Sequence, residues 1–581
     1  MLGTGLGTEE YLFTLGILIA FVGTILFLIL SRKEFLSYLK KLNIGKRELL
    51  IALAIGIFFV AVELVVVKPT QQLFFDDAIY QGGAQDLLHM GQAWMCNFGT
   101  PNYCFAGQLF HEPVGTSFNL AIGFAIFGIS QFTAYWVSLF ISFLAVFLTF
   151  IVAALLFKNI VAAYFSELLM ALSPTLLVWA MPTTSDIMMM SYSLVSMLAL
   201  LLFAYKKNLR TLGMFLFSLS LLAYMKIDAA VFVLIFLLVY LSLKFPKDIK
   251  NGAKEFAGRV KYYLIDTRLL ILILVFVISI SPEVIYAATE LFTGHYGYSG
   301  TTIYNSCSPS QHTVATGMLN LQNFNYNICA NLLFWTNSFA NPTQYGYSIM
   351  QPIEFTALAL LGAILLFVYE KREFFALTLW FVILFLLYTS FYAGSVIYGV
   401  DWRFFLSLMP QASMLGGFGV GVILTTKWIK KSRFKPIFYT LFIILILYST
   451  FSLYNYLSIN PSNISEAQPA RFYENFVYNN SYKIPSSCLV GTYDPTLFNI
   501  NNKTATQLSN FSGITYSEYK NLSAKYDNCL VIDYGFWCYT PGNICSSTKD
   551  KFYTEPIATS YDNVSAETFG FYKITGFKNA T

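Results

Sequence analysis

The chain has 581 residues, 56% of them hydrophobic and only 12% charged, with a formal net charge of +5. A mean hydropathy of +0.59 excludes an ordinary soluble domain, and no basic stripe points to nucleic acid. Repeated apolar runs of about 20 residues are instead the mark of transmembrane helices.

The N-terminal MLGTGLGTEE has neither the basic n-region nor the small-residue cleavage site of a signal peptide, so the first apolar run is read as a retained helix. Twelve spans are predicted, at 11–30, 50–67, 132–157, 162–180, 186–205, 210–224, 228–243, 269–289, 353–369, 374–392, 404–425 and 436–456. Basic residues orient them. The loops SRKEFLSYLKKLNIGKREL, KKNLR, KFPKDIKNGAKEFAGRVKYYLIDTR, EKRE and KWIKKSRFK carry six, three, seven, two and five lysines or arginines, and all fall on one side. That side is predicted to be cytoplasmic. The other face holds only Lys68, Lys226 and Arg403 before residue 457. Segment 113–130, PVGTSFNLAIGFAIFGIS, is apolar, but counting it as a span would invert every later loop. It is therefore placed as a re-entrant or interfacial helix on the outer face.

The predicted organisation is a membrane domain over 1–456, including an outer loop at 68–131 and a lid-like outer loop at 290–352, and an extracytoplasmic α/β domain over 457–581. Alternating stretches such as SCLVGTYDP and NCLVIDYGF predict strands in the tail. All seven N-x-S/T sequons lie there, at Asn463, Asn479, Asn502, Asn510, Asn521, Asn563 and Asn579, which agrees with an external tail. Cys96, Cys104, Cys307, Cys329, Cys488, Cys529, Cys538 and Cys545 all fall on predicted outer segments, so disulfides are expected. Cys96–Cys104 and Cys307–Cys329 are the simplest loop pairings, and the four tail cysteines leave three connectivities open. The 290–352 segment, free of lysine and arginine, reads equally as a lid or as packed structure; His295 and His312 within it have no ligand spacing.

The outer face carries the candidate chemistry. Asp76 and Asp77 follow the second span, in QQLFFDDAIYQGGAQDLL; Asp186 opens the fifth; Lys226 and Asp228 share a tight turn; Arg403 starts the eleventh. Each sits at the outer end of a helix, so they can meet in one cavity. Carboxylates facing a few cations there suit a phosphate-bearing substrate in the head-group layer. Singly, each has a plainer reading: interfacial solvation for the acids, local pairing with Asp228 or Asp401 for the cations, helix capping for Glu112.

Their order along residues 50–425 resembles the GT-C class of membrane glycosyltransferases, particularly the protein O-mannosyltransferases and the lipid A aminoarabinose transferase. The acidic pair plus aromatic of that family matches Asp76, Asp77 and Tyr80. HEPVGTSFNLAIGFAIFGIS matches its interfacial helix, ALSPTLLVWAMPTTSD its helix-pair turn, YMKIDA its basic turn with lysine in place of arginine, and DWRFFLSLMP its last motif. The resemblance implies that Asp76 is the acceptor-side base and that Asp77 supports it or positions the acceptor. Asp186 matches the acid of the second loop. Arg403 and Lys226 match positions that hold the lipid phosphate, and Tyr80, Glu112 and Asp401 are weaker substrate contacts.

The expected activity is inverting transfer of a hexose or pentose from a polyprenyl (dolichyl) phosphate to a protein, glycan or glycolipid acceptor on the outer face of the plasma membrane. The tail suggests an archaeal-type surface. No cofactor is required by this reading; if a divalent cation (Mg or Mn) participates, Asp76, Asp77 and Asp186 are its candidate ligands. The competing expectations are an oligosaccharyltransferase, a transporter or flippase of lipid-linked sugar, and a non-catalytic scaffold. IDYGFW, at 532–537, is similar to an oligosaccharyltransferase motif but reads better as a strand with its turn.

Overall fold

The computed structural model describes residues 6–66, 74–109, 113–244, 267–293, 302–305, 308–314, 319–336, 353–391, 401–425, 468–539, 544–563 and 565–578, with a few positions in 436–447. Eight described helices are long and apolar enough to cross a membrane and four more are shorter and apolar, as in an integral membrane protein. In chain order the bundle and the first loop comprise α1 (Leu6–Leu30), α2 (Arg32–Lys41), α3 (Lys46–Val66), α4 (Phe74–Met90), the hairpin β1 (Trp94–Thr100) and β2 (Tyr103–Leu109), α5 (Gly115–Phe127), α6 (Gln131–Phe157), α7 (Ile160–Ala171), α8 (Pro174–Trp179), α9 (Ser185–Lys206), α10 (Leu209–Ala223), α11 (Phe232–Lys244) and α12 (Thr267–Thr293). There follow a small hairpin, β3 (Thr302–Asn305) and β4 (Ser308–Val314), then α13 (Leu321–Thr336), α14 (Ile353–Tyr369), α15 (Lys371–Ser390) and α16 (Met409–Thr425). The predicted span 436–456 lies almost wholly outside the described residues.

Local chemistry sets the breaks. Ser130 caps α6 by accepting from the Thr133 amide at 3.1 Å, and Asn159 accepts from Val161 and Ala162 at the start of α7. The predicted span 162–180 is broken, because Pro174 has no amide to continue the ladder and instead begins α8. Segment 113–130 holds the 13-residue apolar helix α5, shorter than a full bilayer span. Its first residue sits on the turn after α10: the Gly115 amide donates to Tyr224 O at 2.8 Å. A Cβ there would lie 2.2 Å from that oxygen, so only glycine permits the approach.

After the bundle come α17 (Gln468–Asn480), β5 (Leu489–Thr492), α18 (Pro495–Ile500), β6 (Thr504–Gln507), α19 (Ser509–Ser512), α20 (Tyr516–Lys525), β7 (Leu530–Tyr534), α21 (Cys545–Asp550), β8 (Phe552–Asp562) and β9 (Glu567–Phe577). One seven-stranded sheet results, in the order β2-β1-β6-β5-β7-β9-β8. β6, β5 and β7 run parallel, with antiparallel strands on both sides. The sheet thus joins the hairpin at 94–109, assigned from sequence to the membrane domain, to the tail. Cys96–Cys104 closes the hairpin, and Cys488–Cys529 and Cys538–Cys545 settle the tail connectivity. Cys329 is also disulfide-bonded; Cys307 lies outside the described residues. IDYGFW is the end of β7 and the turn beyond it.

A polar network lies buried where β5 and β7 end. Asp533 Oδ2 accepts from Thr492 Oγ1 at 2.7 Å and from Tyr473 Oη at 2.5 Å. Asp494 caps α18, accepting from the Leu497 amide and the Thr496 hydroxyl. Burial pushes Asp533 up to about 7 and Asp494 up to about 6, from roughly 4 in an unfolded chain. Folded values raised in this way contribute stability that is complete below about pH 4 and is lost as pH rises through the folded values. Hydrogen exchange of β7 in the intact protein, corrected for intrinsic rates, is therefore expected to show less protection at pH 8 than at pH 5. Asp533→Asn should flatten the difference; equal protection at both pH values in the unmodified protein would refute the coupling.

Candidate active site

Asp76 and Asp77 fall in the first turn of α4 and Asp186 in the first turn of α9, where the helix dipole favours negative charge. Lys226, extended between α10 and a short 3-10 turn (Ile227–Val231), brings a cation to the same end of the bundle. A second 3-10 segment, Asp401–Leu408, brings Arg403 there. All lie on the side of the bundle that carries the sheet.

These side chains form one alternating line of charge. Arg403 Nη1 donates to Asp76 Oδ2 at 3.0 Å, and Arg403 Nε faces Asp186 Oδ2 at 3.5 Å. Lys226 Nζ donates to the other Asp186 oxygen at 2.9 Å and lies 3.6 Å from Asp228 Oδ2. Exposure is lowest in the middle of the line: the Asp76 side chain is 22% exposed, Arg403 14%, Asp186 0%, Lys226 5% and Asp228 16%. Lys226 is also covered by the Phe404 ring, whose centroid is 4.1 Å from Nζ. Asp76 is thus the most exposed carboxylate of the line, Arg403 lies beside it, and Asp186 and Lys226 are buried.

Asp77 is used differently. It is fully buried and accepts from Thr183 Oγ1 at 2.5 Å, while Gln81 Nε2 donates to the same hydroxyl at 3.2 Å. Adjacent acids on a helix point about 100° apart, so one meets the cations and its neighbour ties α4 to the segment before α9. Tyr80 is buried in an apolar cluster with Leu120, Ala121 and Phe124 of α5. Its carbonyl accepts from Ser117 Oγ at 3.0 Å. Glu112 and the side chain of Asp401 lie outside the described residues.

Several residues at the site had no marker in the sequence. Thr183 and Gln81 are ordinary polar residues until the fold sets them beside Asp77. Tyr388, on α15, accepts from Ser407 Oγ at 3.0 Å and places its ring 5.6 Å from Lys226 Nζ; nothing distinguishes it within an apolar span. Phe404 carried a faint signal, as the aromatic next to Arg403 in DWRFF. From the 290–352 segment, α13 packs on α15 through Asn327 and Asn331, which donate to Thr389. Phe334 of α13 stacks on Phe405 at 4.5 Å, so this part of the expected lid is built into the bundle next to the 3-10 segment that carries Arg403.

The acids do not converge as a metal-ligand set. Arg403 stands between Asp76 and Asp186, and Asp77 turns away to Thr183. Among the described residues, the three-residue group close enough to share an ion is Asp86, Cys96 and Cys104, whose two sulfurs are joined to each other. The fixed cations Arg403 and Lys226 stand against the carboxylates of Asp76 and Asp186.

The profile of the family described as dolichyl-phosphate-mannose-protein mannosyltransferase matches residues 111–286, a stretch that includes Asp186, Lys226 and Asp228. No curated protein matches the chain by sequence. Among solved structures, the chain is similar to ArnT from Cupriavidus metallidurans in the apo state, with a TM-score of 0.53 and 11% identity over 89% of this chain and 97% of that one. The structure of ArnT bound to undecaprenyl phosphate gives a TM-score of 0.52 and 11% identity, over 89% of this chain and 98% of that one. The archaeal oligosaccharyltransferase AglB from Archaeoglobus fulgidus, in complex with an inhibitory peptide and a dolichol-phosphate, gives 0.43 and 13%, over 90% and 74%. The chain has the GT-C fold, with a sheet-containing C-terminal domain, and resembles the polyprenyl-phosphate-dependent families that its motifs suggested.

Proposed function

We propose that the protein is an inverting glycosyltransferase that moves a sugar from a polyprenyl phosphate to an acceptor hydroxyl on the sheet side of the membrane. One observation carries this reading: the line Asp76–Arg403–Asp186–Lys226 at the helix ends of a GT-C bundle. Transfer forms a bond from the acceptor oxygen to the anomeric carbon as the bond from that carbon to the phosphate oxygen breaks. The acceptor proton passes to Asp76, the exposed carboxylate of the line. The lipid phosphate leaves with added negative charge, which the Arg403 guanidinium stabilises. Lys226 acts behind it, through Asp186, by holding the carboxylate that faces Arg403 Nε.

The same placement of charge argues against a transporter, in which charges near the bilayer midplane are the usual pattern. An extracytoplasmic site, and with it an archaeal-type surface, is supported by the sequons: Asn479, Asn502, Asn510, Asn521 and Asn563 are all exposed. The acceptor would be a protein, glycan or glycolipid.

The test is binding of polyprenyl phosphate to the purified protein and to Arg403→Ala, with sugar transfer measured in liposomes. Losing one charge-assisted contact of about 1.5–3 kcal/mol is expected to weaken binding at least tenfold. Equal binding by both proteins, or by neither, would remove the donor from the proposal.

A further inference from the structure

We infer that the C-terminal domain is a working part of the site: it sets the position of the α4 acids through contact between Gly82 and Thr496, both positioning residues. The inference rests on the glycosyl-transfer reading above. Three observations lead to it. First, the chain leaves α4 directly into β1, and β1 pairs with β6 of the C-terminal sheet, Phe98 opposite Thr506 and Gly99 opposite Ala505. Second, Ala78, one residue beyond Asp77, is fully buried in the same apolar core as Tyr473, Leu497 and Phe498 of the C-terminal domain. Third, Gly82 lies so close to α18 that a Cβ on it would stand 2.9 Å from both Cβ and Cγ2 of Thr496.

The contact is braced on both sides. Thr496 donates to Asp494, the Asp494 amide donates to Thr492 Oγ1 at 3.1 Å, and Thr492 donates to Asp533 at the end of β7. The surface that meets Gly82 is thus anchored in the central parallel strands. On its other flanks α4 is held by Thr183 through Asp77 and Gln81, and by Ser117 through the Tyr80 carbonyl. With α4 held on these flanks, an added methyl group at Gly82 has no room without a strained shift of the helix, and Asp76, six residues or about 9 Å along the axis, is expected to be displaced with it. The contact most sensitive to such movement is the 3.0 Å Asp76–Arg403 pair, at the opening.

The experiment uses the full chain in liposomes. Gly82→Ala is expected to lower kcat by about tenfold or more, since sub-ångström misplacement of a reacting group is costly, with polyprenyl-phosphate affinity within about twofold because Arg403 is not on α4. The exchanged pair Gly82→Ala with Thr496→Gly clears the opposing side chain, leaving 3.8 Å from the new Cβ to the Cα of residue 496, while Thr496→Gly alone controls for the lost hydroxyl bond to Asp494. It should return kcat to the level of Thr496→Gly alone. Hydrogen exchange over 74–90 should rise in Gly82→Ala and recover in the exchanged pair. Unchanged kcat and protection in Gly82→Ala would overturn the inference, as would a loss that the exchanged pair does not restore. The exchange measurement needs no substrate. If it behaves as expected while the unmodified protein transfers no sugar, the positioning of α4 stands and the transferase reading falls.

Discussion

Asp76→Asn is expected to lower sugar transfer by a factor of about a hundred to ten thousand, the range for losing a general base. Asparagine keeps the size of the side chain and an oxygen that can accept from Arg403 Nη1, now 3.0 Å from Asp76 Oδ2. What it loses is the capacity to take a proton at the exposed end of the charge line. Polyprenyl-phosphate affinity should hold or rise slightly, because an anion beside Arg403 has been removed. The contrast with Asp77 makes the test specific. Asp77→Asn still accepts from Thr183, so its effect is expected to be the smaller one, exerted through the placement of α4. Radiolabelled transfer in liposomes, at saturating donor, measures both. Activity surviving in Asp76→Asn while Asp77→Asn is inactive would reverse the assignment of the two acids.

The main features of the fold could be read before the structure because the bilayer imposes a simple code. Apolar length marked most of the described spans, though not the break at Pro174, and basic loops suggest which ends share a face. That was enough to put Asp76, Asp186, Lys226 and Arg403 at one end of the bundle, where the structure joins them by contacts of 2.9 to 3.5 Å. Three things were not legible. The shared sheet depends on Phe98 meeting Thr506 across most of the chain, and no local pattern in the hairpin names its distant partner. The difference between Asp76 and Asp77 was equally hidden, since adjacent letters do not say which acid a helix will turn toward Arg403 and which toward Thr183. The family resemblance implies a second phosphate ligand at Lys226. Its place behind Phe404, engaged by two carboxylates, depends on side-chain depth, which hydropathy does not encode.

That depth makes Lys226→Met the second large effect. The substitution keeps length and apolar volume beneath the Phe404 ring and removes the cation that Asp186, fully buried, shares with Asp228. Breaking a buried ion pair from one side typically costs about 3–5 kcal/mol, because a charge is left uncompensated in low dielectric. Arg403 is then the remaining cation of the line and has both Asp186 and Asp76 to serve. Movement of its guanidinium toward Asp186 would open the contact with Asp76, so transfer should fall with stability. Asp186→Asn in the same chain separates the two effects. It removes the fully buried one of the two carboxylates that Lys226 serves, so the double variant should regain part of the lost melting temperature, a coupling that a double-mutant cycle reads directly. It should not regain transfer, because nothing then holds an anion against Arg403 Nε. Full recovery of activity in the double variant would show that Lys226 only balances charge; a Lys226→Met protein as stable and active as the unmodified one would remove it from the line altogether.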